Sequence, residues 1–312
     1  DLHRRRHSFP TRRSSDLIKH LSKHFGNFHA VQDVNITVNS GDVYGFLGPN
    51  GAGKSTTMRC MLSLIQADKG SIELFGKSIN HHRSEILSQV GCLIEKPDFY
   101  KYLSAFQNLQ IFSRISGKPS SRKEILDMLE FVGLQGREKD HVSGFSHGMR
   151  QRLGIAQTLL HQPELIVLDE PTTGLDPQGI IDMRNLILRL KNEQKKTIIL
   201  SSHNLSEVEL ICNRMVIIHK GKSIVEGEVH ALLNEEEQII RLQTSSDSME
   251  ALLAFLQNHG TAIQINDNSV EMNISKEKIP QLNAQLVQAG IPIFAIEAKR
   301  KLEDYFINLL AS

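Results

Sequence analysis

Hydrophobic and polar positions follow three rhythms along this chain. Between about Leu17 and Ile79 they alternate, or run apolar between glycines, in "AVQDVNITV", "GDVYGFLG" and "GSIELFG", which predicts strands. From about Glu95 to Gly144 apolar residues recur at three- and four-residue steps, in "SAFQNLQIFSRIS" and "SRKEILDMLEFVG", which predicts helices. From Ser146 to Glu228 helical stretches alternate with short apolar runs, "LIVLDE" and "TIILSSH". Strands buried on both faces read this way, so a parallel sheet covered by helices is expected. After "NEEEQ" a different unit begins: strand, helix, strand, strand, helix, strand, then a last helix "KLEDYFINLL". Its first six elements follow the β-α-β-β-α-β order of a ferredoxin-like α+β domain.

Composition narrows the classes. The chain has 312 residues, 40% hydrophobic and 23% charged, enough for one large globular domain and a small one. A net charge of +1 gives no global electrostatic case for nucleic acid, and none is expected as a partner. Cys60, Cys92 and Cys212 are far apart and in no metal spacing, so they read as reduced thiols. No apolar run approaches the ~18 residues of a membrane span.

The first residues differ from the rest. "HSFPTRRSSDL" resembles a translated sequencing-library adapter, so residues 1–17 are expected to be a non-native leader. A basic targeting segment is the alternative, but no apolar core follows, as a secretory signal requires. Without Asp1–Asp16 the chain carries 31 basic and 33 acidic residues, so the basic leader is given no functional weight.

"GPNGAGKST" fits G-x-x-x-x-G-K-[ST], between an apolar strand "VYGFL" and a prospective helix "TTMRCMLSLI". Glycines there permit backbone angles closed to other residues, and their N–H groups can converge on phosphate oxygens at a helix N-terminus. Gly48, Pro49, Asn50, Gly51, Ala52, Gly53, Lys54, Ser55 and Thr56 are thus candidate nucleotide-phosphate residues. Lys54 would reach the β- and γ-phosphates and the Ser55 hydroxyl would ligate Mg²⁺. The competing reading is a flexible turn that happens to end in Gly-Lys-Ser.

A second group of residues supports the first. "LIVLDE" delivers Asp169 and Glu170 to the C-terminal edge of a buried strand, where ligands of open α/β sheets collect. Asp169 can hold Mg²⁺ through water, and Glu170 can accept a proton from an attacking water or orient it. "TIILSSH" ends at His203, which could contact the γ-phosphate or the water; alone it would read as a surface histidine. His81-His82 reads as a solvated loop rather than a metal site, because no third ligand has useful spacing.

Taken together, these motifs resemble an ABC-transporter ATP-binding subunit over about residues 18–230. "GPNGAGKST" matches the family's Walker A; "LIVLDEP" matches Walker B, with Glu170 in the catalytic-glutamate position. "TTGLDP" matches the D-loop, adding Asp176 as an ATP-site candidate, and His203 falls at the switch histidine. Phe25 sits where the family stacks an aromatic on adenine, with Phe28 as its rival. "FSHGMRQRLG" fills the place of the signature usually written LSGGQ. Ser146 reads as a helix N-cap, and the resemblance implies that Ser146 and Gly148 face the γ-phosphate bound by another subunit. Met149 cannot make the contacts of Gln; the form S-x-G-M-[RK]-Q-R-L is similar to bacitracin- and lantibiotic-type exporter ATPases. The Q-loop glutamine position holds Glu95, a third candidate metal ligand that adds negative charge beside Asp169 and Glu170.

The resemblance implies an α/β P-loop NTPase core at 18–230, with a helical subdomain at about 95–150 and the small ferredoxin-like domain at 235–312. It implies an ATPase using ATP and Mg²⁺, as a homodimer or paired with a homologous ATPase. That pair would drive a separate transmembrane permease from the cytoplasmic, inner face of the cell membrane, exporting peptide antibiotics. A non-transport ABC ATPase acting on a macromolecular partner, and a P-loop nucleotide kinase, are the rival classes. The C-terminal unit, with its "LEDYFINL" ending, carries no catalytic constellation; it reads as a regulatory or dimer-bracing module, or as an inert extension.

Overall fold

The computed structural model describes residues 16–95, 97–233, 237–257, 262–299 and 306. Of the expected leader, 1–17, residues 1–15 lie outside that range, while Asp16 and Leu17 open the first strand. The chain divides into two compact units, 1–227 and 228–312.

The first unit begins with an antiparallel hairpin, β1 (Asp16–Phe25) and β2 (Phe28–Val38). Next come β3 (Val43–Leu47), α1 (Lys54–Met61), β4 (Lys69–Leu74), β5 (Lys77–Ser78), α2 (Ile79–Leu87) and β6 (Val90–Leu93). Helices α3 (Ala105–Ile115), α4 (Arg122–Phe131) and α5 (His147–Leu159) follow. The unit closes with β7 (Leu165–Leu168), α6 (Pro177–Asn192), β8 (Thr197–Ser202), α7 (Leu205–Ile211), β9 (Arg214–His219) and β10 (Lys222–Glu228).

Two sheets result, ordered β2-β1-β4-β5 and β10-β9-β3-β8-β7-β6. In the second, β3 runs parallel to β8 and β9, and β7 parallel to β6 and β8. Every residue of β3, β7 and β8 is buried, as the unbroken apolar runs predict for strands covered on both faces. One core cluster joins the two sheets through Leu21, Val34, Phe46, Met58, Leu74, Val167 and Val216. This parallel order fixes the function-bearing edge: the C-terminal ends of β3, β6, β7 and β8 are neighbours.

The helices start where local chemistry tells them to. Ser104 with Gln107, and Ser121 with Glu124, form reciprocal capping boxes at the starts of α3 and α4. Asn108, fully buried, accepts from the Tyr100 N–H (2.9 Å) and donates to the carbonyls of Tyr100 (3.1 Å) and Ser104 (3.0 Å). It thereby pins the loop before α3, which periodicity alone does not reveal. His81 and His82 lie on α2 rather than in a loop: the helix runs through them with a break in backbone angles at His82, and both rings stay exposed.

The second unit opens with α8 (Val229–Leu233) and β11 (Glu237–Gln243), then α9 (Met249–Leu256), β12 (Ala262–Asn266), β13 (Ser269–Ser275), α10 (Ile279–Gln288) and β14 (Ala295–Lys299). Its sheet order is β12-β13-β11-β14, and each neighbouring pair is antiparallel. That is the arrangement a β-α-β-β-α-β chain makes when each helix returns over the sheet. Ile240, Leu242, Leu252, Leu256, Met272, Leu282 and Leu286 form its core. The last helix expected, at 301–310, lies outside the described residues apart from Phe306, which is helical.

Candidate functional site

The site starts with the six-residue turn between β3 and α1. Its first N–H, on Gly48, donates to the Ser202 carbonyl at the end of β8 (3.3 Å). Gly53 has φ 108°, and a Cβ there would lie 2.5 Å from the Ala30 carbonyl; one on Gly48 would lie 2.2 Å from the Ile218 carbonyl. Neither position has room for a side chain, so the loop backbone is held against its neighbours. Ala52 accepts from the Gly221 N–H at 2.8 Å, which ties the middle of the loop to the β9–β10 turn. Thr56 and Ser55 stand in the first turn of α1, where helix N–H groups have no intrahelical partner.

Lys54 is only 4% exposed. Its ammonium donates to the carbonyls of Gly48 (2.7 Å) and Pro49 (3.1 Å) and lies 3.7 Å from the Glu170 carboxylate. Burial pulls Lys54 below the ordinary lysine range, and the carboxylates of Glu170 and Asp169 recover only part of that shift. Two carbonyls and a carboxylate surround the buried cation, and an anionic phosphate would add further compensation for its burial.

Strand β7 ends at Leu168 and delivers the two acids. The Asp169 N–H donates to the Leu93 carbonyl at the end of β6 (2.9 Å), and the Ser201 hydroxyl donates to the Asp169 carboxylate. Glu170 turns into the left-handed region, φ 47°, at a cost of about 1–2 kcal/mol. Its N–H is secured by Ser201 Oγ at 2.8 Å. One carboxylate oxygen accepts from the Thr173 hydroxyl (2.9 Å); the other lies 3.5 Å from His203 Nδ1. Burial pushes the Glu170 carboxyl up, but the Thr173 hydroxyl, Lys54 and His203 together hold it below the usual range. Glu170 is thus an ionised acceptor at neutral pH.

Ser55, Glu95, Asp169 and Glu170 line one cleft of about 330 Å³, together with Thr173 and two residues of α5, His147 and Gln151. Glu95, itself at φ 69°, is paired with Arg59 of α1, and its side chain is 69% exposed. Hydroxyl and carboxylate oxygens are the donors a hard divalent cation takes. Among the described residues no three His, Cys, Asp or Glu side chains close on one point. A Mg²⁺ here would therefore complete its shell with phosphate and water oxygens, as that ion ordinarily does beside a nucleotide.

Other expected residues lie outside this cleft. Phe25 ends β1 and Phe28 begins β2; they are register partners across the turn, 51% and 62% exposed. The Lys23 ammonium sits 5.3 Å from the centroid of Phe25, so a cation already backs that ring. Ser146 is the N-cap of α5, accepting from the Met149 N–H at 3.2 Å. Asp176 is the N-cap of α6, accepting from the Gly179 N–H at 3.1 Å. Gly148 faces Leu175, whose Cδ2 would lie 3.6 Å from a Cβ on it.

Sequence reasoning missed Ser201, Thr173, His147, Gln151 and Arg59. Only Ser201 carried a readable signal: a polar residue at the end of a fully buried strand must find a hydrogen-bond partner. Thr173 reaches Glu170 only three residues away, inside a turn that periodicity does not show, while His147–Thr173 and Arg59–Glu95 join segments far apart in sequence.

A family model described as "ABC transporter" matches residues 31–173. The chain is 42% identical over 294 residues to the bacitracin transport ATP-binding protein of Bacillus licheniformis, covering 93% of this chain and 95% of that protein. It is also 42% identical over 220 residues to a lantibiotic transport ATP-binding protein of Streptococcus pyogenes, covering 70% and 93%. A solved ATP-binding subunit of an ABC transporter superimposes with a TM-score of 0.61 at 29% identity, over 70% of this chain and 92% of that one. The chain belongs to the ABC transporter ATP-binding proteins.

Proposed function

We propose that this ABC ATPase binds Mg·ATP between two cassettes, its own pair or a homologous one, and uses hydrolysis to drive export of peptide antibiotics through a separate permease. The observation that carries the two-chain reading is a division within the site. Ser55, Asp169 and Glu170 share one cleft, while Ser146 and Gly148 of the same chain do not line it. Those two are assigned to a neighbour's site.

In this reading Gly48, Pro49, Asn50, Gly51, Ala52, Gly53, Lys54, Ser55 and Thr56 cradle the phosphates, and Phe25 stacks on the adenine. Lys54 exchanges its loop carbonyls for phosphate oxygens, which suits a buried cation because charge compensates burial better than neutral carbonyls do. Ser55, Asp169 and Glu95 would hold Mg²⁺, which would supply charge neutralisation at the phosphates. Glu170 takes the proton of the attacking water, and His203 orients the same groups. Asp176 and the signature residues Ser146 and Gly148 act across the pair. Among the described residues no helix is long and apolar enough to cross a membrane, so the permease supplies the channel and holds the ATPase at the inner face.

The cargo class rests on the relatives' names, one for bacitracin and one for a lantibiotic. Glu170→Gln tests the ATPase reading: ATP binding and pairing persist, and turnover falls by about 100-fold or more. Full turnover in that variant would sink it. The permease complex tests the cargo: its ATPase rate should rise with bacitracin or a lantibiotic and stay flat with unrelated peptides.

A further inference from the structure

The signature helix begins with a histidine that reaches its own chain's carboxylate segment. His147, half-buried at the start of α5, places Nε2 3.2 Å from the Thr173 carbonyl oxygen. A carbonyl only accepts, so Nε2 carries the proton and donates. The hydroxyl of the same threonine donates to Glu170 at 2.9 Å. Thr173 is therefore gripped at both ends: by the helix that opens with Ser146, and by the carboxylate assigned to the attacking water.

The surrounding contacts make this a lever rather than a loose chain. The Glu170 N–H is fixed by Ser201, and the Thr173 N–H donates to the Glu170 carbonyl at 3.1 Å, closing a tight turn. Gly174, at φ 77°, lies against the His147 ring, and Leu175 lies over Gly148. With the backbone of Glu170 anchored, the Thr173 hydroxyl joins Lys54 and His203 in orienting its carboxylate, and His147 holds the Thr173 carbonyl on the far side of the turn.

We infer that His147 is a positioning residue for Glu170, acting through Thr173 to tie the start of the signature helix to the hydrolytic carboxylate of the same chain. The inference rests on the reading of Glu170 given above.

The test uses the full chain and its basal ATPase, with a fluorescent mant-ATP as the binding probe. His147→Leu removes the donor, His147→Gln keeps one, and Thr173→Val removes the hydroxyl that reaches Glu170. Losing one such hydrogen bond should lower kcat about fivefold in His147→Leu and in Thr173→Val, with mant-ATP affinity unchanged. His147→Gln should stay within about twofold of the parent, a rescue that a packing role would not produce. The double variant should be no slower than the slower single, because both changes cut one path. Native kcat in His147→Leu, failure of His147→Gln to rescue, or a multiplicative double variant overturns the inference. If His147→Leu does not fold, His147→Ala is read in the same way. Glu170→Gln separates the two ideas: if it turns over fully, the reading of Glu170 fails; if it is inactive while His147→Leu is native, the relay alone fails.

Discussion

The Ser201 hydroxyl donates to the Asp169 carboxylate at 2.5 Å while accepting the Glu170 N–H at 2.8 Å. One buried hydroxyl thus sets the two acids at the end of β7 against β8. Ser201→Ala leaves the Glu170 N–H without that acceptor and Asp169 without that donor. An unfolding midpoint should fall by the equivalent of about 1–3 kcal/mol, and turnover should fall with it. Unchanged stability would mean that water takes over both bonds.

Glu170 gives the protein a specific acid sensitivity. Its folded pKa lies below the ordinary 4.5, so it contributes stability that is fully present above 4.5 and lost as pH falls through the folded value. Glu170→Gln should therefore be less stable than the parent near neutral pH, and the gap should close below that range. Denaturant midpoints of the two proteins across pH 3–7, about the span of a carboxyl titration, measure it. A gap that does not change with pH would rule out the depressed carboxyl as its source.

Glu95 can be separated from Glu170 by its metal dependence. Its ion pair with Arg59 is exposed, so Glu95→Gln should change stability by less than about 1 kcal/mol. Removing one negative ligand should nevertheless raise the Mg²⁺ needed for half-maximal ATPase activity, by roughly threefold or more. Titration with Mg²⁺ at saturating ATP reads this directly. An unchanged requirement would remove Glu95 from the metal's surroundings.

Phe25 and Phe28 make opposite predictions of equal simplicity. Both are exposed, so neither alanine variant should alter the unfolding midpoint by more than about 0.5 kcal/mol. Phe25→Ala should weaken mant-ATP binding about three- to tenfold, the size of one aromatic stacking contact, and Phe28→Ala should leave it unchanged. The reverse result would transfer the adenine contact to Phe28.

Local chemistry was legible in the amino-acid sequence alone. The turn from Gly48 to Thr56 can be read because its glycines answer to contacts and angles that tolerate no Cβ. The apolar runs of β7 and β8 can be read because burial on both faces leaves no polar position. Ser104, Ser121 and Ser146 announce α3, α4 and α5 because a cap binds only three residues ahead. The six-element order of the C-terminal unit likewise implied its antiparallel sheet.

Tertiary structure decided the rest, because hydrogen bonds and ion pairs between distant segments leave no periodicity. Nothing near Glu170 in sequence says that Lys54 and His203 approach its carboxylate, or that Ser201 holds its N–H. Nothing near Glu95 points to Arg59. Nothing in the signature stretch says that His147 reaches the Thr173 carbonyl. The residue types were written in the chain; which of them share one cleft was set by strands β3, β6, β7 and β8 ending side by side.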